Sequence, residues 1–355
     1  MSYESEHSLP LGTRLADVRE FVQLLGYKKT GVLPSATDGR FEDYYFSEEK
    51  DYKSWSGVEL SIQIQDKSLT VSTRTTSGRS FFDLEHQNVT IARLKKRFGG
   101  TFRTDEGSGR YLRATSGPPP PPASGCHVAF AHFGHNLIST IFYLDSRNIK
   151  KQRGEELLAR MGLSATVLSN NMAASFVVTS LEDYFKSTFV ALLRYSPNKR
   201  SFFKSHMLKG DHLAAISDAK SSVEDQVAET MSFQNIAAVC RHFESLEPKL
   251  DLARPLRKPY RKRKQSFFEL IEGIVSARHD FVHRAKLDLT LTDKRMYDVV
   301  YDLDVAITRL YTHIIEYFDW PEIERTWHLG NRRAVERFRK EVADSDTTTS
   351  RKVDP

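Results

Sequence analysis

The chain is poor in cysteine, with only Cys126 and Cys240 among 355 residues. Two thiols cannot build the disulfide framework of a small secreted domain or a zinc site of four cysteines. Thiols generally stay reduced in the cytoplasm. The cysteine content therefore predicts a cytoplasmic protein with two reduced thiols.

Long hydrophobic runs are also missing. No stretch of about 18 apolar residues is free of charge, and Met1 to His7 lack the basic and apolar pattern of a secretory signal. We therefore expect neither a membrane span nor a signal peptide. The hydrophobic fraction of 39% still allows a buried core. At about 150 residues per domain, the length predicts two domains.

Excess positive charge is confined to one segment. The net charge is +6, and the stretch from Arg254 to Lys264 carries seven basic side chains and no acid, so the other residues sum to −1. This distribution excludes a generally polycationic protein and indicates a local surface for a polyanion.

Residues 1–117 alternate between helical and strand periods, which predicts an α+β domain with a sensor or regulatory role. After a polar leader, Thr13 to Tyr27 and Phe82 to Phe98 show helical spacing. The intervening sequence is β-like, with a hairpin turn expected at Asp66 to Ser68. The predicted strands are residues 43–46, 58–64, 69–73, 101–103 and 111–113, of which the central ones form a meander.

Residues 118–164 are predicted to be a proline-rich linker with connecting helices. Pro118 to Pro122 form a run of five prolines. Such runs are stiff and commonly act as spacers, although an SH3-type ligand is the alternative reading. Helices are expected at His127 to Leu144 and at Glu155 to Met161.

Residues 165–320 show helical periodicity throughout and predict an all-α bundle. A long helix is expected from Asn171, and a closing helix, capped by Thr292 or Asp293, is expected to run to Phe318. Residues 321–355 are predicted to be a C-terminal extension with a disordered end. Further helices are expected at residues 223–231, 235–246 and 267–279.

The segment Arg278-His279-Asp280-Phe281-Val282-His283 groups four ionisable side chains near a helix end. On a continuous helix, Arg278 and His283 point about 140° apart and His279 and His283 share a face. Unwinding near Asp280 would let Arg278 and His283 converge. A guanidinium that grips phosphate and an imidazole that moves a proton suit phosphodiester chemistry. Alternatively, the cations cap the helix and pair with Asp280.

This segment resembles the Arg-x4-6-His motif of the HEPN superfamily, in which Asn, Asp or His typically follows the arginine, as His279 does. Thr179 to Phe185 resembles the first long helix of these bundles, with its acidic pair. Ser232 to Ile236 resembles a middle helix of the group related to RiboL-PSP-HEPN proteins, and Asp293 to Phe318 resembles the closing helix. The resemblance implies a HEPN-like helical bundle in the C-terminal half.

The resemblance also implies an activity and roles for individual residues. Related HEPN proteins are metal-independent endoribonucleases of antiphage defence and toxin systems, and they work as homodimers. His283 would transfer a proton at the 2′-hydroxyl or the leaving 5′-oxygen, Arg278 would stabilise the phosphorane, and His279 would assist. The product would be a 2′,3′-cyclic phosphate, with no cofactor. Glu182 and Asp280 are candidate supporting residues, although Glu182 can equally be a surface carboxylate.

The basic segment directly precedes the motif helix and is predicted to bind RNA phosphates, with Tyr260 as a stacking platform. A solvated loop is the alternative. The residues concerned are Arg257, Lys258, Tyr260, Arg261, Lys262, Arg263 and Lys264. No metal site is predicted, because Cys126, His127, His132 and His135 lack the spacing of a ligand set.

The sequence thus predicts an endoribonuclease effector of a bacterial antiphage, abortive-infection or toxin system. RNA is the expected substrate, and the N-terminal domain is expected to meet an activator or a phage component. A non-catalytic HEPN-like scaffold that binds nucleic acid or a partner protein is the alternative. An active N-terminal domain ranks last, because it shows no nucleophile and base pair.

Overall fold

The computed structural model describes residues 2–34, 40–65, 68–114, 116–149, 164–260, 264–325, 327 and 329. The chain divides into two compact units, residues 1–128 and 129–355. The division falls within a helix, α3 (Pro121–Ile149), and not in the proline run. Pro121 and Pro122, predicted as linker, form its first turn, where proline is tolerated because the N–H groups there have no helical partner. No helix in the described ranges is long and apolar enough to cross a membrane.

The first unit is an α+β domain, as predicted. Its antiparallel sheet has the strand order β2-β3-β4-β5-β1-β6-β7, so β3 to β5 form the predicted meander, which the unpredicted strand β2 extends. The helices are α1 (Leu15–Leu24) and α2 (Phe81–Phe98). The strands are β1 (Tyr3–Ser8), β2 (Lys28–Pro34), β3 (Arg40–Phe46), β4 (Val58–Gln65), β5 (Ser68–Thr75), β6 (Thr101–Thr104) and β7 (Gly107–Ser108).

The two helices and one face of the sheet enclose the core of this unit. Alternate residues of β4, Val58, Leu60 and Ile62, are buried, and Val18 and Val22 of α1 belong to the same cluster. Burial of each such side chain stabilises the fold by about 1.5–3 kcal/mol. The alternation of apolar and polar residues therefore marks the face of the sheet that the helices cover. This alternation is why β4 and β5 could be predicted from the sequence.

A strand lies where the sequence predicted a polar leader. Strand β1 pairs with both β5 and β6, and its inward-facing side chains are polar. Ser5 Oγ lies 2.6 Å from Thr73 Oγ1, and His7 Nε2 lies 2.8 Å from the Gly99 carbonyl oxygen. Because Ser5 Oγ and His7 Nε2 find partners inside, these two side chains of β1 are buried without any apolar alternation, and only His7 Nδ1 is left without a hydrogen-bond partner among their described side-chain atoms.

The strand predicted at residues 111–113 is absent. Instead, the Asn88 side chain accepts a hydrogen bond from the Leu112 N–H at 3.0 Å and donates one to its carbonyl at 2.8 Å. The Asn88 amide thus replaces a neighbouring strand. The turn residues Asp66 and Lys67, the helix expected at 155–161 and the C-terminal end predicted to be disordered lie outside the described residues.

The second unit is helical, as predicted, and contains no strand among its described residues. Ser232 to Asn235, expected within a helix, precede α8, and the Asn235 side chain caps it. The helices after α3 are α4 (Ala165–Tyr195), α5 (Lys199–Lys204), α6 (Gly210–Ser217), α7 (Val223–Glu229), α8 (Ile236–Leu246), α9 (Ala253–Arg257), α10 (Phe267–Arg284) and α11 (Asp293–Tyr317).

Two buried asparagines of α4 hold the loop between α10 and α11. Asn170 donates to the Leu291 carbonyl at 2.8 Å. Asn171 donates to the Asp288 carbonyl at 3.2 Å and accepts from the Asp288 N–H at 2.9 Å. These bonds fix the end of the motif helix against α4, because they satisfy loop backbone groups that no helix or strand pairs.

Candidate active site

Helix α10 carries the predicted motif and is longer than expected. It begins with a capping box in which Ser266 and Glu269 exchange hydrogen bonds. It ends at Arg284, and the next residue, Ala285, adopts a left-handed conformation with φ of 51°. Neither proline nor glycine interrupts residues 278–284, so nothing in the chain breaks the helix there. The alternative in which the helix unwinds near Asp280 is therefore wrong, and the helix is continuous through the motif.

The continuous helix separates Arg278 from His283 and brings the two histidines together. Five residues at about 100° each leave Arg278 and His283 about 140° apart around the axis. His279 and His283 share a face, and their ring centroids are 4.7 Å apart with the planes inclined by 46°. Both side chains are exposed. The chain thus presents a pair of accessible imidazoles.

Arg278 lines a cavity of about 410 Å³ that neither histidine reaches. On the α10 side, the cavity wall includes Leu270, Ile274 and Ala277. The ionisable groups around it balance in charge, because three are basic and three are acidic. They are Lys264, Arg278 and Arg295, and Asp288, Asp298 and Asp302.

Glu182, predicted as a supporting residue, lies close enough to Arg278 for the two charges to interact. Burial raises the pKa of Glu182, while the positive charge of Arg278 and a hydrogen bond with Gln234 oppose that shift. Glu182 Oε1 and Arg278 Nε are both buried without a hydrogen-bond partner among the described residues. The two side chains therefore attract each other through space without a hydrogen bond at these two atoms.

Asp280 supports the end of the helix and does not contact the other motif residues through an ion pair. Its carboxylate accepts a hydrogen bond from the Arg284 guanidinium at 3.0 Å, one turn further on. Its backbone carbonyl accepts from the N–H groups of Ala285 and Lys286. The alternative in which Arg278 or His283 pairs with Asp280 is therefore wrong, because the ion pair of Asp280 is with Arg284.

The described side chains of the basic segment lie in several different environments. Arg257 stacks its guanidinium on Phe268 at 4.6 Å, and Lys264 reaches the Arg278 cavity. The Tyr260 ring is half-buried and packs against both Phe267 and the Arg309 guanidinium, so it is not an open platform. Lys258 lines a different hollow. Arg261, Lys262 and Arg263 lie outside the described residues.

Sequence reasoning missed Asn171 and Arg295, which both line the cavity. The signal for Arg295 was available, because Arg295, Asp298 and Asp302 recur at helical spacing on α11. Asn171 gave no such signal, since its role depends on the loop that it binds.

Within the described ranges, no three His, Cys, Asp or Glu side chains form a group that could hold a metal ion. No protein-family model, no curated protein and no solved structure matches the chain.

Proposed function

We propose that the C-terminal helical unit is a metal-independent endoribonuclease that cuts RNA by attack of the substrate's own 2′-hydroxyl. The observation that carries this activity is the exposed pair of His279 and His283, with 4.7 Å between ring centroids. Histidine is the side chain that changes charge near neutral pH, so one imidazole of a pair can accept a proton while the other donates one.

The reaction balances with these two side chains alone. One neutral imidazole takes the proton of the 2′-hydroxyl, and the 2′-oxygen forms a bond to phosphorus. The bond from phosphorus to the 5′-oxygen breaks, and the second imidazole, protonated, gives its proton to that oxygen. The products are a 2′,3′-cyclic phosphate and a free 5′-hydroxyl. We assign the principal proton transfer to His283 and the assisting one to His279.

Arg278 cannot grip the phosphate held by His283 of the same protomer while α10 stays helical. In our proposal, Arg278 and Lys264 hold a neighbouring part of the RNA at the cavity. A homodimer, which the HEPN resemblance implies, offers the other arrangement, because Arg278 of one protomer could then meet the histidines of a second. The biological role that fits this activity is an effector of antiphage defence or of a toxin system, with the first unit as its sensor.

The separation of Arg278 from His283 favours a second candidate, a helical bundle that binds nucleic acid or a partner protein without cutting RNA. This candidate keeps the cationic groups as anchors and needs no proton transfer. It predicts binding of RNA with no cleavage products under any condition.

The deciding experiment incubates the purified protein with total RNA and maps the cut sites and their end chemistry. We expect 2′,3′-cyclic phosphate ends, activity that persists in a chelator, and no cut at a site whose nucleotide is 2′-deoxy. A His279→Ala/His283→Ala double variant, purified in parallel, controls for contaminating nuclease. Equal cleavage by this variant, 5′-phosphate products or dependence on added metal would each refute the proposed reaction.

A further inference from the structure

A second concave surface of the C-terminal unit is strongly basic and lies apart from the histidine pair. It is a hollow of about 850 Å³ between the α9 region and the last turns of α11. Four lysines and arginines line it against a single carboxylate, that of Glu316. The basic residues are Lys249, Arg254, Lys258 and Arg309.

Arg309 has a structural role in this hollow. It donates to the Lys258 carbonyl at 3.0 Å and to the Pro259 carbonyl at 3.5 Å. Its guanidinium also lies 4.9 Å from the Tyr260 ring centroid and 5.1 Å from that of Phe267. Arg309 thus fastens the basic segment to α11, and this contact fixes the position of the Lys258 backbone.

The other three cations of the hollow are available to a ligand. Lys249, Arg254 and Lys258 are exposed, and none forms an ion pair with another described residue. Two further polar groups line the same surface. Thr312 is exposed, and His313 Nε2 is buried without a hydrogen-bond partner within the described part of the chain. Clustered cations without paired acids attract a polyanion.

The hollow and the Arg278 cavity are arranged along the same side of α11. Arg295 lines the cavity and His313 lines the hollow, and the 18 residues between them correspond to about five helical turns, or about 27 Å. Two described residues of the basic segment reach the same two places, because Lys258 lines the hollow and Lys264 lines the cavity. An extended anion can follow this course, whereas a mononucleotide would occupy one end only.

We propose that the hollow formed by Lys249, Arg254 and Lys258 anchors the phosphate backbone of single-stranded RNA at a distance from the histidine pair. This inference assigns a substrate subsite to the proposed ribonuclease and rests on that proposed function. RNA binding at the hollow can nevertheless be measured in the absence of cleavage. The cavity cannot be the main anchor, because its three acids offset its three bases. The hollow carries a clear positive excess.

The test measures binding of a fluorescent 12-nucleotide oligouridylate that is 2′-O-methylated, so that it cannot be cut by internal attack. An Arg254→Glu/Lys258→Glu variant is compared with a Lys204→Glu/Lys209→Glu variant, which changes the net charge equally at exposed positions of α5 and just before α6. We expect at least tenfold weaker binding for the first variant only. Loss of two phosphate contacts also reduces the slope of log K against log salt by about 1.4, at about 0.7 per contact.

Three outcomes would overturn the proposal. They are no binding of the oligonucleotide by the parent protein, an equal loss of affinity in both variants, and displacement of the oligonucleotide by ATP at a concentration similar to that of the oligonucleotide. The last would identify a small-nucleotide site. Failure of the ribonuclease is recognised separately. In that case total RNA stays uncut while the 12-mer still binds the parent and the His279→Ala/His283→Ala variant equally well.

Discussion

His279 and His283 lie one turn apart on the same exposed face of α10, with 4.7 Å between their ring centroids. Helical geometry alone holds this spacing, since side chains four residues apart stack above one another. Neither ring is buried, so neither contributes substantially to the core. Function and stability can therefore be separated experimentally at these two positions.

Replacement of either histidine by alanine is expected to lower RNA cleavage by about 10²- to 10⁴-fold, the usual contribution of a positioned acid or base. The melting temperature should stay within about 1–2 °C of the parent, because exposed substitutions change stability by less than about 0.5 kcal/mol. The measurement is the initial rate on a labelled RNA. His132→Ala is the matched control, since His132 is an exposed histidine on α3. Equal rates for all three variants would exclude the pair as the catalytic groups.

Because of Glu182, the stability of the folded protein should depend on pH above about 4.5, the ordinary pKa of a glutamate side chain. Burial raises its pKa in the folded protein, so the folded state retains a proton that the unfolded state releases. Its contribution is fully present below about pH 4.5 and is lost as the pH rises through the folded pKa. Glu182→Gln should remove this part of the decline in melting temperature between pH 4.5 and 7.5. Asp183→Asn, at the adjacent exposed position, should leave the decline intact. A profile for Glu182→Gln that parallels the parent would contradict the assignment.

Glu42 should stabilise the first unit at neutral pH. Its side chain is fully buried, and hydrogen bonds from Arg19, aided by the positive charge of Lys29, lower its pKa to about 2. Its contribution is present above about pH 4.5 and is lost as the pH falls toward 2. Glu42→Gln is expected to cost about 2 kcal/mol at pH 7, the scale of hydrogen bonds to a charged group. Urea unfolding measures this cost, and Glu59→Gln, on the exposed face of β4, should change stability by less than about 0.5 kcal/mol.

Asn171 should be required for the position of the loop that follows the motif helix. Asn171→Ala removes both hydrogen bonds with the Asp288 backbone and takes the partner from the half-buried Asp288 N–H, whereas the Asp288 carbonyl keeps its bond from the Leu291 N–H. The expected loss is about 1–3 kcal/mol in the free energy of unfolding. Hydrogen exchange of the Asp288 amide should also accelerate. Thr179→Ala, an exposed position on the same helix, serves as the control. Unchanged exchange at Asp288 in the Asn171 variant would show that the loop is held by other contacts.

Periodicity in the sequence predicted the elements whose buried faces are apolar. Helix α11 buries Met296, Val300, Leu303 and Ile307 at helical spacing, and its boundaries agree with the prediction within one residue. The sequence did not predict strand β1, because its buried residues, Ser5 and His7, are polar. Hydrogen bonds to distant parts of the chain, between Ser5 and Thr73 and between His7 Nε2 and the Gly99 carbonyl, offset the cost of burying them.

Helical periodicity in the sequence also predicted part of the candidate site. The alternative in which His279 and His283 share a face follows from helical spacing and is confirmed. The end of α10 was not predictable, since its last two turns are polar or exposed on most sides and provide no periodic signal. The cavity around Arg278 depends on α4 and α11 packing against α10, which no local pattern in the sequence reports.

The position of β1 constrains the order in which the first unit can fold. Tyr3 pairs with Thr75 and Ser5 pairs with Thr104, so β1 joins two parts of the sheet that lie far downstream of it. Contacts of such large sequence separation slow folding, because a long loop must close before they form. The second edge of β1 cannot be paired until residue 104 is available. Until then, β1, once paired with β5, exposes the edge that β6 later covers, and this edge is open to association with other chains.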